Sequence, residues 1–397
     1  MNNIKTIVLL IIFYLIIGCS KGSIYISNVP ETINEHRILN VSIEVDGNIV
    51  ANGSSADSIV FTPLDTIAGW KGIKYDRLYH TVYDSSVFRY CKIEYAKQPY
   101  QQGYGAFFLH NYNELRVEDC EIANCITAFN VENYSSVILK NSNLHNNSGV
   151  ISGNHFCNLN IINNLIADNE GIAVGLSSSS DGLISGNTIK RNNKGVYMSS
   201  SQAQILNNVI DSNFSTSYLF PTAGIYGDWN SQAYIIGNTI TNNKCVVGST
   251  SYVVGGGAIK FWGMDLEIRD NILAGNSVDR IDQVQNKMRG GAIFIEQTNN
   301  VKIINNRIHN NKAGWGGAIY IQGKSGNNYV SDIIIQNNQI TNNSAYLGGA
   351  YYLDNRADQA NLIYNNSICN NTAELGSGIY VNNSSGGENN FVNNKVR

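Results

Sequence analysis

The clearest pattern along the chain is an apolar residue held between asparagines at fixed distances. In Asn163-Asn164-Leu165-Ile166-Ala167-Asp168-Asn169, Gly186-Asn187-Thr188-Ile189-Lys190-Arg191-Asn192 and Asn305-Asn306-Arg307-Ile308-His309-Asn310-Asn311, one Asn stands two residues before the apolar anchor and another three after it. The anchors recur as Leu144, Ile166, Ile189, Ile210, Ile240, Leu273, Ile308, Ile340, Ile368 and Val396, at intervals of 21 to 35 residues. A repeat of that length is one turn of a solenoid with variable insertions.

Two columns of Asn follow from the alignment. The first is Asn164, Asn187, Asn208, Asn238, Asn271, Asn306, Asn338, Asn366 and Asn394, and the second is Asn147, Asn169, Asn192, Asn213, Asn243, Asn276, Asn311, Asn343 and Asn371. Asn tolerates the left-handed backbone of a sharp corner, and its amide can donate to one turn while accepting from the next. Stacked amides of this kind form a ladder. Cys91 and Cys120 fall in the first column's slot and Cys125 in the second's. With no CxxC or metal-ligand spacing, these thiols read as stacked corner residues.

After each second-column Asn comes a Gly-led strand, such as Gly257 to Trp262, Gly291 to Glu296 or Gly317 to Gln322. Counting by twos puts Val196, Ile225, Ile259, Ile293, Ile319 and Ile379 in one apolar column and Met198, Phe261, Ile295, Ile321, Leu353 and Val381 in another. These predict an interior that single turns cannot bury and stacked turns bury continuously. The fold class expected is all-β, a single-domain parallel β-helix of about a dozen coils at ~4.8 Å per coil.

The repeats resemble those of right-handed parallel β-helix proteins, the pectate-lyase-like superfamily. Gly-Gly-Ala-Ile at 256–259, 290–293 and 316–319, after an Asn-rich turn, is also similar to polymorphic outer-membrane adhesins. Ser58 to Pro63, Gly69 to Ile73 and Ser86 to Tyr95 resemble the opening coils of bacterial surface proteins with this fold. The resemblance covers about residues 41–397 and specifies fold far more than function.

Composition agrees with short strands and tight turns: 14% charged residues, 37 Gly and only 4 Pro. A formal charge of -3 without any basic run excludes a nucleic-acid footprint. At the N-terminus, Ile7 to Ile17 is an unbroken apolar stretch, too short to span a membrane as a helix. Leu15-Ile16-Ile17-Gly18-Cys19-Ser20 resembles the lipobox of bacterial lipoproteins, with Ile16 where Leu is usual. The domains expected are a signal peptide over 1–19 with lipidation at Cys19, a cap over 20–60 and the β-helix over 61–397, its end open or truncated. That places the protein in the cell envelope, lipid-anchored to the membrane, at the outer membrane or cell surface.

Candidate chemistry lies between the inward columns. Tyr197, Tyr226, Lys260, Phe294, Tyr320, Tyr352 and Tyr380 alternate outward and are expected to face solvent, followed two residues on by Ser199, Asp228, Trp262, Glu296, Gln322, Asp354 and Asn382. Exposed rings among carboxylates and amides suit a sugar chain. The same rings are good strand residues that stabilise a sheet by stacking. Insertions at 214–223, 244–254 and 277–289, the last holding Asp279, Arg280, Asp282, Lys287 and Arg289, emerge along one sheet edge and are expected to wall a cleft.

These features lead to a non-catalytic envelope protein that binds a polysaccharide or cell-surface partner, the ligand-binding candidates being Tyr197, Tyr226, Asp228, Lys260, Trp262, Phe294, Glu296 and Tyr320. The alternatives are a polysaccharide lyase or glycoside hydrolase and an adhesin or spacer without a small-ligand site. For an enzyme, Asp228 and Glu296, two turns apart, are the weak catalytic candidates, at the upper limit of an inverting carboxylate pair. Polygalacturonase-like Gly-His-Gly and Arg-x-Lys are missing, and His110, His145, His155 and His309 fall in different columns. No cofactor is expected; Ca²⁺ enters only with a lyase, and no Gly-Gly-x-Gly-x-Asp calcium repeat occurs.

Overall fold

The computed structural model describes residues 24–27, 42–45, 48–76, 85–97, 105–112, 114–217, 222–248, 253–280, 284–322, 331–354, 359–382 and 388–397. The expected signal segment 1–19 and its Cys19 lie outside the described residues. Two compact units are present, Met1–Asn187 and Thr188–Arg397. The sequence reads as one domain because the same repeat runs through both.

In the first unit each coil contributes one short strand to each of three parallel sheets. Sheet one takes Ser42–Val45, Gly72–Asp76, Phe107–His110, Thr127–Glu132, Gly149–Asn154 and Ile172–Ser177. Sheet two takes Val50–Asn52, Ser85–Arg89, Glu114–Glu118, Ser136–Lys140, Asn158–Ile162 and Asp181–Ser185, and sheet three Ile59–Phe61, Cys91–Glu94, Glu121–Ala123, Asn143–His145 and Leu165–Ala167. Parallel coils therefore begin at Ser42, ahead of residue 61. Ile24–Ser27 pairs antiparallel with Ser42–Val45 at the start of sheet one.

The second unit repeats this plan. Its sheet one runs through Lys194–Ser199, Ile225–Asp228, Ile259–Phe261, Ile293–Glu296, Ile319–Gln322, Tyr351–Asp354 and Ile379–Asn382. Val196, Ile225, Ile259, Ile293 and Ile319 are all buried, as are Met198, Phe261, Ile295, Ile321 and Leu353. In the last described coil Ile379 is half-buried and Val381 is 37% exposed. Among the described residues the helical content is one 3-10 turn, Gln285–Lys287.

The corners divide labour in a way the spacing alone does not reveal. The left-handed residue is not the ladder Asn but the one before it: Asn163, Asp168, Asn207, Asn242, Asp270, Asn305, Asn310, Asn337 and Asn365 all have φ near 55–60°, and Tyr90, Arg191 and Ser212 do the same. The ladder Asn turns inward, where its Oδ1 accepts from both the backbone N–H and the Nδ2 of the preceding coil's Asn. Asn238 donates in this way to Asn271 at 2.8 and 3.0 Å, and Asn243 to Asn276 at 3.0 and 3.0 Å. Each Nδ2 also donates to a main-chain carbonyl of the coil before, as Asn271 does to Ile235 at 2.8 Å. A buried amide with every site satisfied is stable where an unpaired one is costly.

The thiols take the places read from the sequence. Cys91 N–H donates to Cys120 Sγ at 3.3 Å, Cys120 N–H to Ser142 Oγ at 3.1 Å, Ser142 N–H to Asn164 Oδ1 at 2.8 Å, and Cys125 N–H to Asn147 Oδ1 at 3.0 Å. All three are free and buried. A third ladder, not anticipated, follows sheet one. There Tyr112 N–H donates to Ser135 Oγ and Cys157 N–H to Ser180 Oγ, and in the second unit Ser201 N–H donates to Ser231 Oγ and Gly263 N–H to Thr298 Oγ1. Its members are short hydroxyls and a thiol of mixed type, so no single letter marks the column.

The Gly-Gly-Ala-Ile motif has a steric cause. Gly290 has φ +61°, and a Cβ there would stand 2.1 Å from Ile293 O; one on Gly291 would stand 2.2 Å from Gly317 O. The first glycine makes the turn and the second lets coils approach.

Lys194 opens sheet one of the second unit yet is only 6% exposed. Burial pulls its amine down from 10.5 to about 8, opposed by the Cys245 thiol. Between these values the unfolded chain binds the proton more readily than the folded one, so stability falls as pH drops from about 10.5 to about 8 and the full cost persists below. Lys194→Met is expected to raise stability at pH 7 by roughly 2–3 kcal/mol and to remove this slope, as read by urea unfolding at pH 7 and pH 10.

Candidate functional site

The register aligns the expected outward row. Tyr197 pairs with Tyr226, Tyr226 with Lys260, Lys260 with Phe294, Phe294 with Tyr320, Tyr320 with Tyr352 and Tyr352 with Tyr380. The row does not face solvent. Phe294 and Tyr320 are 0% exposed, and Tyr352, Tyr226 and Lys260 are also buried, while Tyr197 is half-buried.

The insertions cover part of it. Phe214–Ser215, Lys244–Val247 and Ser277–Arg280 pair in parallel as a three-stranded sheet, and Val254–Gly255 pairs with Met288–Arg289. Cys245, Val254, Val278, Met288 and Ala313 form their own small core. Phe294, Tyr320, Tyr352 and Leu347 form a second cluster, with Val253, Trp315 and Tyr380 packed against it. The insertions thus pair into a layer instead of walling a cleft, and the rings are covered by Val253 and Gly255 together with Trp315 and Leu347 from outside the insertions.

Charge in the insertions is used internally. Asp279 pairs with Lys244 at 3.2 Å and Arg280 is 2% exposed, while Asp282 lies outside the described residues. The Arg289 guanidinium sits 4.8 Å over the Tyr320 ring and 5.7 Å over Trp315, and its Nη1 donates to Gln322 Oε1. Lys260 is a comparable cation among rings, with Nζ 4.9 Å from the Phe294 centroid and 5.6 Å from that of Tyr226. Such contacts let a charge occupy an aromatic row without a large desolvation cost.

The second row forms a polar rim. Lys260 Nζ lies 3.2 Å from Glu296 Oε2, Tyr320 OH donates to Asp354 Oδ2 at 3.4 Å, and Asn382 Nδ2 donates to Asp354 Oδ1 at 3.0 Å. Asp228 is 2% exposed and its Oδ1 has no hydrogen-bond partner among the described residues. Burial pushes the Asp228 carboxyl up, opposed by hydrogen bonds from Ser199, Tyr226 and Tyr197 and by the Lys260 charge. Burial also raises the Tyr226 and Tyr197 hydroxyls, with the Asp228 charge adding to it.

The expected carboxylate pair, Asp228 and Glu296, lies in one sheet. Asp228 and Glu296 flank the coil that carries Lys260, and the amine binds Glu296. Lys260 thus comes between the two carboxylates in the strand order, and Asp228 is buried. Among the described residues no group of three or more His, Cys, Asp or Glu can hold a metal ion.

One feature of the site had no marker in the alternation. Trp229 follows Asp228 at a left-handed corner, φ 41°, is 60% exposed, and lies 5.3 Å from the half-buried Trp262 between ring centroids. It sits one residue beyond the strand, so a period of two does not assign it; the available signal was a Trp beside Asn in a corner slot.

A family model described as the right handed beta helix region matches residues 80–240 and 223–397. Searches of curated proteins and of solved structures return no match. With three parallel sheets wound by short strands in each unit and a family match over most of its length, the chain belongs to the right-handed β-helix family.

Proposed function

We propose that the protein is an envelope-anchored, non-catalytic binder of a polysaccharide or cell-surface glycan, with lipid at Cys19 as its membrane anchor. The ligand surface is the rim of sheet one in the second unit, where Trp229 and Trp262 stand beside Tyr197, Ser199 and Glu296. The observation that carries this reading is the 60% exposure of Trp229 next to a polar row. Rings cover the C–H faces of a sugar and the neighbouring hydroxyls and carboxylates take its OH groups. Phe294, Tyr320 and Tyr226 support the surface from beneath and do not touch ligand. The Lys260–Glu296 ion pair and the burial of Asp228 favour binding over hydrolysis or elimination.

Polysaccharide retention by the full chain, with reducing ends and unsaturated products assayed in parallel, tests the proposal. Retention without product is expected. Trp229→Ala combined with Trp262→Ala is expected to weaken retention at least tenfold. Trp229→Ala alone should move the melting temperature little, since an exposed ring contributes about 0.5 kcal/mol or less to stability. Product release would instead establish an enzyme, and neither retention nor product a spacer.

A further inference from the structure

A cleft of about 320 Å³ opens on the first unit where sheet three passes into sheet one, lined by Tyr95, Lys97, Asn124, Asn146 and Ser148 above Cys125. It follows from coil geometry. On three successive coils a left-handed residue, Tyr95, Asn124 or Asn146, is followed by a buried ladder residue, Ala96, Cys125 or Asn147, and then by Lys97, Ile126 or Ser148. Side chains on either side of the sunken ladder residue leave a groove between them.

Lys97 is exposed but fixed. Its Nζ donates to Thr66 O at 2.9 Å and lies 5.1 Å over the Tyr95 ring, while its N–H donates to Trp70 O at 3.0 Å. Gly69, at φ +71°, packs against its Cβ so closely that a methyl there would stand 2.7 Å away. Among the described residues no carboxylate pairs with this amine. The cleft therefore presents one pre-placed cation, which binds with less ordering cost than a mobile one.

The rest of the lining is uncharged, apolar at Ile126 and polar at Asn124, Asn146 and Ser148. The Asn124 amide makes no side-chain hydrogen bond among the described residues, Asn146 Nδ2 meets His145 Nδ1 at 3.1 Å, and Ser148 Oγ donates to Glu170 Oε2 at 2.9 Å. A bare anion would use Lys97 and the amide N–H but has no O–H to donate to the acceptors Asn124 Oδ1 and Ser148 Oγ; a neutral sugar would leave the cation without a counter-charge. We infer that this cleft binds a sugar ring carrying one anionic substituent. Lys97 takes the anion, Asn124 and Ser148 take ring hydroxyls, and Tyr95 packs on a C–H face. The volume is at the small end of ligand sites, which fits a single ring.

Calorimetric titration of the full chain carrying Trp229→Ala and Trp262→Ala tests this independently of the rim. The probes are glucuronate, glucose 6-sulfate, glucose and inorganic sulfate. Glucuronate or glucose 6-sulfate is expected to bind at least tenfold tighter than glucose and than inorganic sulfate, and whichever binds better identifies the anion. Lys97→Gln should weaken that binding 10- to 100-fold, and Asn124→Gly, which keeps the left-handed corner, several-fold. Equal binding of glucose, equal binding of inorganic sulfate, no binding of any probe, or an unchanged affinity in a folded Lys97→Gln protein would each overturn the inference.

Discussion

Replacing Asn306 by Ala is expected to lower stability by roughly 3–5 kcal/mol, whereas replacing its neighbour Asn305 by Gly should change it by less than about 1 kcal/mol. Asn306 is 2% exposed. Its Oδ1 accepts from Asn271 N–H and Nδ2, both at 3.0 Å, and its Nδ2 donates to Ile268 O, Ile304 O and Asn338 Oδ1 at 2.8, 3.0 and 3.0 Å. Alanine removes all of these and leaves buried donors and acceptors that water cannot reach. Asn305 is exposed at φ 57° and serves the bend, which glycine makes without a Cβ penalty. Urea unfolding of the two variants reads the contrast. Equal effects would mean that the amides do not hold the coils together.

The second large effect is expected at Phe294, where alanine should cost about 3–5 kcal/mol. The ring is wholly buried, meets Tyr320 edge-on at 5.3 Å and carries Lys260 Nζ at 4.9 Å. Gly255 lies against it, since a Cβ there would come 2.3 Å from Phe294 Cδ1. Deleting the ring opens a cavity between the sheet and the layer above it, which the paired Val254–Gly255 and Met288–Arg289 strands cannot easily collapse. Thermal unfolding should show a lowered midpoint. A midpoint as insensitive as that expected for Trp229→Ala would place Phe294 on an open surface after all.

These two residues show how differently fold and site were written in the sequence. The Asn columns are legible because a ladder needs the same side chain at the same height in every coil, and each member is tied to the next by the same bonds. Even there the spacing merged two tasks, inward amide and left-handed bend, because both fall to Asn in adjacent positions such as Asn337 and Asn338. The hydroxyl ladder of Ser135, Ser180, Ser231 and Thr298 escaped notice because several short side chains meet its demand.

The site was legible only as a row. Alternation correctly separates inward from outward along Ile293–Glu296, and the register then aligns Tyr226, Lys260, Phe294 and Tyr320 as the repeats require. It does not say what lies above the outward side. An insertion such as 244–254 contains apolar and polar residues alike, and whether it stands off as a wall or lies down as a layer depends on pairing with the insertion of the next coil.

By itself, then, the sequence determined the winding, the ladder corners and the inward core, since these are periodic and local and repeat at every coil. Only the tertiary structure decided which outward residues meet water. Contacts from Val253, Gly255, Arg289, Trp315 and Leu347 bury Phe294 and Tyr320 while the corner leaves Trp229 outside. Exposure is a property of the whole surface, set by contacts between segments far apart in the chain, and no period within a single strand records it.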